Sequence, residues 1–172
     1  LVIDGKISAN GNAAVALNAG GGAGGSIVLS AGTVGGTGLI SANGGAGNGL
    51  GGGGAGGRIM ISYLANSFAG DMNAFGSGTG ISCGGAGTIY TLRNTSGLPP
   101  LAQLTVDNGG NLGAKTPMDF SSAFSGDVTV AGGASLIWPP SNTQNPQIRN
   151  LLITSNAWLL ATNPTQTTIT IT

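Results

Sequence analysis

The sequence predicts an all-β chain of stacked parallel coils, a β-solenoid, and three observations carry that expectation. A glycine-rich hexapeptide, Gly-Gly-Gly-Ala-Gly-Gly, occurs at 20–25 and again at 52–57, an interval of 32 residues. That interval is too long for a hairpin and falls in the range of repeat arrays. In the second half, Leu104, Val128 and Leu152 recur every 24 residues, as do Val106, Val130 and Thr154, and Leu112, Leu136 and Leu160. Helical periodicity is absent. Short apolar alternations end in turn-prone residues (Asn108, Gly132, Asn156), which favours strands that pair with their counterparts one coil later.

In chain order, Ile3 and Ile27 stand 24 residues apart and are expected to stack, followed by Ile27 to Ile59 at 32 and Ile59 to Ile89 at 30. The additional residues lie in the glycine tracts, so the hexapeptide reads as an insertion of about 8 residues into a coil of the shorter length. A second repeat, Ile-Ser-Ala-Asn-Gly at 7–11 and 40–44, marks a strand and turn, and it would stack Asn10 on Asn43. Two physical roles fit the tracts. They form tight corners that only glycine can adopt, or they pack as extended polyproline-II-like segments, with Gly85-Ala86-Gly87 as a third copy. The stretch Ser96-Gly97-Leu98-Pro99-Pro100 breaks the rhythm, because proline cannot donate to a central ladder. The expected organisation is one continuous solenoid: Gly-rich coils over 1–94, a Pro-containing seam over 95–102 and regular 24-residue coils over 103–172. Segments 115–126, 139–146 and the region of Pro164 read as excursions. Both ends fall in mid-pattern, as in a piece of a longer chain.

Composition limits the chemistry. The 172 residues include 35 Gly, five acidic and five basic side chains and no His, and the formal net charge is zero. Neither nucleic acid nor an anionic membrane surface has a basic patch to attract it. No stretch approaches the roughly 20 apolar residues that span a bilayer as a helix. No membrane insertion is therefore expected. Cys83 is single, so no internal disulfide forms, and a buried small hydrophobe is its expected role.

Three segments carry a family resemblance: Gly-Lys-Ile-Ser-Ala-Asn-Gly at 5–11, Gly-Gly-Ala-Gly-Gly-Ser-Ile-Val-Leu at 21–29 and Gly-Gly-Ala-Gly-Gly-Arg-Ile-Met-Ile at 53–61. With the 24-residue units they make the chain resemble a right-handed parallel β-helix of the pectin-lyase-like kind. The nearest likeness is to the glycine-rich rungs of bacterial surface and autotransporter-type proteins. The resemblance implies right-handed winding, in line with the general rule for parallel crossovers. It also raises polysaccharide lyase and glycosidase activities, which require clustered acids.

The residues do not support those activities. Asp4, Asp71, Asp107, Asp119 and Asp127 are scattered, Glu is missing, and only Asp107 and Asp127 are placed to approach across adjacent coils. They read as turn acids. Serine and cysteine nucleophile systems lack a histidine partner, and zinc ligation lacks donors. Neither hexapeptide is followed by the Asp of a calcium-binding nonapeptide, nor by the Lys-Ser/Thr and helix of a phosphate loop. No catalytic residue, cofactor or metal is expected.

The expected function is a non-enzymatic extracellular or cell-surface structural module. It would be a rigid stalk or filament segment for display, adhesion or self-assembly through exposed solenoid ends. Thr168, Ile169, Thr170, Ile171 and Thr172 form the candidate self-association edge, pairing head-to-tail with another copy or a neighbouring domain. The same Thr-x-Thr alternation has the look of an ice-binding face but does not recur in earlier coils. The alternative is a carbohydrate-binding or carbohydrate-active β-helix contacting extracellular polysaccharide through Trp138 and Trp158.

Overall fold

The computed structural model describes residues 1–78, 82–95, 97, 99–118, 124–138 and 147–161. Its regular elements are all strands: β1 (Lys6–Ser8), β2 (Ser26–Gly36), β3 (Leu39–Ser41), β4 (Arg58–Phe68), β5 (Asp71–Asn73), β6 (Thr88–Arg93), β7 (Leu101–Asp107), β8 (Thr116–Pro117), β9 (Ser125–Ala131), β10 (Ser135–Trp138), β11 (Gln147–Ile153) and β12 (Trp158–Ala161). They form one six-stranded sheet in the order β11-β9-β7-β6-β4-β2 and two three-stranded sheets, β1-β3-β5 and β12-β10-β8. The protein is all-β, and every pair between named strands is parallel except β6 with β7.

The first half keeps the intervals read from the sequence. Ile27 pairs with Ile59 and Ile59 with Ile89 in the large sheet, while Ile7 pairs with Ile40 in the small one. Their inward faces share one core with Val34, Ile61 and Ala42. Asn43 stacks over Asn10 as expected, its N–H donating to Asn10 Oδ1 at 2.8 Å, and Asn43 Oδ1 accepts from the Phe75 N–H at 2.8 Å. Ile3 does not stack on Ile27. Val2 instead bridges to Gly35 at the far end of β2, because successive paired strands in this half are separated by glycine segments and recur at about 32 residues.

The tracts are packed extended segments and not corners. Gly21 and Gly24 donate to Gly52 and Ala55, and Gly53 and Gly56 donate to Ser82 and Gly85, at 2.8–2.9 Å. Each tract also bonds the segment that runs back beside it: Gly54 to Gly45 and Gly57 to Ala42, and likewise Gly84 to Ser77 and Gly87 to Ala74. Bonds to a given neighbour recur every third residue, which is the repeat of polyproline II. No glycine at 20–25 or 52–57 has a positive φ, so left-handed conformation is not why glycine is used. Space is the reason. A Cβ on Gly54 would lie closer than 3.0 Å to the carbonyl of Gly22, and one on Gly57 equally close to that of Gly25.

At β6–β7 two things reverse together. The strand direction inverts, and the core moves to the opposite face of the sheet. Paired residues share a face. Ile89, in the first core, is paired with half-buried Thr105, whereas Tyr90 and Leu92 are paired with Leu104 and Ala102 of a second core. That core is closed by Leu136 and Trp138 of β10, with Val128 and Val130 of β9. Burying each such aliphatic side chain contributes about 1.5–3 kcal/mol.

The 24-residue interval holds from β7 to β9, where Leu104 pairs with Val128 and Val106 with Val130. It fails at the next step. Gln147 pairs with Ser125 at an interval of 22, and Arg149, an extra residue between Ile148 and Asn150, raises it only to 23, so Leu151 and not Leu152 pairs with Val128, and Ile153 and not Thr154 pairs with Val130. The bulge is held because Arg149 reaches Asp127 through two hydrogen bonds, Nε at 2.9 Å and Nη2 at 2.5 Å. Similarly Leu136 pairs with Leu159 and not Leu160, and Leu112 lies exposed outside any strand.

Candidate functional site

The residues singled out from sequence disperse. Thr168–Thr172 lie outside the described residues, as do Asp119 and Pro164. Trp138 is buried in the second core, whereas Trp158, at the start of edge strand β12, is 43% exposed. Trp158 pairs with Ser135 and Trp138 with Ala161, so the two indoles occupy different steps of the ladder. Asp107 and Asp127 are on neighbouring strands but four positions out of register, since Asp127 pairs with Gln103 and Asp107 with Ala131. Each has its own partner. Asp107 Oδ1 accepts from the Gly109 N–H at 2.7 Å, while hydrogen bonds from Arg149 hold the Asp127 carboxyl below the usual carboxylate range.

Cys83 is buried, and burial pushes its thiol pKa up, opposed by a contact from Asn108. Asn108, read as a turn residue, is itself fully buried. Its Oδ1 accepts from Gly76 N–H at 2.7 Å and its Nδ2 donates to the carbonyls of Asn111 and Gly84 at 2.8 and 3.2 Å. It fastens the first turn after β7 to the last glycine layers of the first half. Among the described residues no group of three potential metal ligands occurs.

Two features remain open to a partner. The first is the edge of β2. Leu1 and Ile3 bond it at Thr33 and Gly35, leaving the backbone of Ser26–Ala31 with no strand beside it on that side among the described residues. The second is a groove of about 620 Å³ where the core changes face. One wall is the outward side of β4 and β6, with Arg58, Met60 and Tyr90; the other is the stretch Lys115–Met118 around β8; Gly56, Gly57 and Gly85–Gly87 form the floor. Thr116 Oγ1 donates to the Ala86 carbonyl at 2.7 Å, which seats β8 on that floor.

Sequence reading missed this groove. A signal for it was present, because Val28 stands between Ile27 and Leu29 and Met60 between Ile59 and Ile61, making both faces of β2 and β4 apolar there. Register lines up Val28, Met60, Tyr90, Leu104, Val128 and Leu151 on one face. Val28 and Met60 are 70% and 37% exposed, whereas Leu104 and Val128 further along the row are covered.

Comparison with known protein families, characterised proteins and solved structures finds no match for the chain.

Proposed function

We propose that this chain is a non-enzymatic structural module, a segment of right-handed parallel β-helix that serves as a rigid extracellular stalk or filament element. The observation that carries the reading is the way its polar groups are used. Backbone amides of the glycine tracts and the side chains of Asn10, Asn43 and Asn108 bond to adjacent layers, so the hydrogen bonding holds layer to layer. Such layering extends by adding further layers at an open edge. The free stretch of β2 is one such edge.

A single winding hand is compatible with the reversal at β6–β7. Strand direction and the covered face invert together while the order of stacking continues, which equals a half-turn about the stacking direction. A half-turn preserves hand, and parallel crossovers are right-handed in nearly all cases. Placement at a cell surface rests on the resemblance to glycine-rich surface proteins.

Electron microscopy and sedimentation of the purified chain over a concentration series test the assembly. Elongated particles that grow end to end support it. Compact monomers at every concentration refute it. A charged residue on the open edge, Val28→Lys, is expected to reduce end-to-end growth.

A further inference from the structure

We propose that the groove at the chain reversal binds an anionic single-chain amphiphile, a fatty carboxylate or its close equivalent, with the alkyl chain against Met60, Tyr90 and Met118 and the anion between Arg58 and Lys115. The volume of about 620 Å³ is in the range of small-molecule sites. Its walls are mostly carbon. Met60 and Met118 are unbranched and adapt to the contour of a flexible chain, and Ala86 is buried at the floor.

The apolar row on this face explains why an alkyl chain suits the site. Past the β6–β7 junction the row is the interior of the second core, covered by β8 and β10; before it, Tyr90 is half-buried against the rim of that core, and Met60 belongs to neither core among the described residues. Tyr90 lies 6.4 Å, centroid to centroid, from Phe124 of that core. A bound chain extends the core by one layer without new protein.

The cations select the headgroup. Arg58 and Lys115 come from opposite walls, and among the described residues neither forms an ion pair, the one ion pair being Arg149 with Asp127. No described Asp lines the groove. An inorganic anion would leave the apolar walls unused, and a neutral glycan would set hydroxyls against methyl groups; an anionic amphiphile satisfies both parts. This chemistry is independent of the assembly proposed above.

The chain has three methionines, and two of them line the groove while Met72 belongs to β5 of the first half. Methyl-labelled methionine NMR therefore contains its own control. Sodium decanoate at neutral pH, below its micelle concentration, is expected to shift Met60 and Met118 saturably at one equivalent and leave Met72 in place. Decan-1-ol is expected to bind at least about tenfold more weakly, the loss of a charge-assisted contact. The double variant Arg58→Gln/Lys115→Gln, whose side chains are exposed and outside the cores, is expected to lower decanoate affinity by a similar factor and leave decanol unaffected. The proposal is overturned if no saturable shift occurs, if Met72 moves equally, if decanol binds as tightly, or if the variant keeps wild-type affinity. Binding to phosphatidylglycerol vesicles without binding of free decanoate also overturns it, because it would assign the cations to a membrane surface.

Discussion

Replacing one glycine in a tract and one outside it by alanine separates close packing from conformational freedom. Gly54 is enclosed: its N–H donates to Gly45, its carbonyl accepts from Ser77, and a Cβ there would lie closer than 3.0 Å to Gly22. Gly32, in β2, has nothing within 4 Å of the same hypothetical atom. Neither has a positive φ, so alanine suits both backbones. Reducing the freedom of the unfolded chain contributes about 0.4–1 kcal/mol to stability at either site. At Gly54 overpacking opposes this by about 1–3 kcal/mol, since the obstacle is backbone held in a ladder. The net expectation is a loss of about 1–2 kcal/mol for Gly54→Ala and a gain of about 0.4–1 kcal/mol for Gly32→Ala. For a chain of this length each kcal/mol shifts Tm by about 2–4 °C. Urea unfolding with a common slope measures the difference. Amide exchange at Gly54 and Ser77 reports whether the loss is local. If Gly54→Ala is as stable as wild type and these amides keep their protection, the tracts are not packed segments and the reasoning fails.

Leu151→Ala is expected to destabilise more than Leu152→Ala by about 1 kcal/mol, because the bulge at Arg149 turns Leu152 outward to 55% exposure; equilibrium unfolding of both decides it. Asn108→Ala removes partners from a buried N–H and two carbonyls and is expected to cost about 2–4 kcal/mol, visible as loss of exchange protection at Gly76. The Asp127 carboxyl has a folded pKa below its unfolded value, so its contribution is present above the unfolded value near about 4 and is lost as pH falls through the folded one. Arg149→Gln should therefore lower stability at pH 7 and make little difference in strong acid, and an effect equal at both pH values would exclude the pair as its cause. The buried Cys83 thiol should resist an aromatic disulfide reagent in the folded protein and react in urea; fast labelling of native protein would contradict its burial.

The strand pairings of the first half were legible because repetition leaves a local record. Ile27, Ile59 and Ile89, and Ile7 with Ile40, occupy like positions in like segments, so interval alone predicts register. The second half was legible only as far as the period was undisturbed. The connection into β11 is shorter than the period and the extra residue Arg149 restores only one position, so Leu152 pairs with Thr129 and not with Val128; the bulge is held by a pairing with Asp127 on the neighbouring strand, a contact absent from any local pattern. The glycine tracts show the same division. Their recurrence marked them as one structural unit repeated, but whether glycine was needed for its backbone angles or for its small size depends on what lies beside each Cα, which is carbonyl backbone from other layers.

By itself, then, the sequence determined the all-β class, the parallel pairing of repeated strands, the stacking of Asn10 and Asn43, and the lack of histidine chemistry, since each follows from composition or spacing. Only tertiary structure decided that the chain inverts at β6–β7 and carries its core to the other face of the sheet. Alternation along a strand states that one face is buried without stating which side of the sheet supplies the cover. Where the cover changes sides, Met60 and Tyr90 are left beside Arg58 and Lys115, and that juxtaposition exists only in three dimensions.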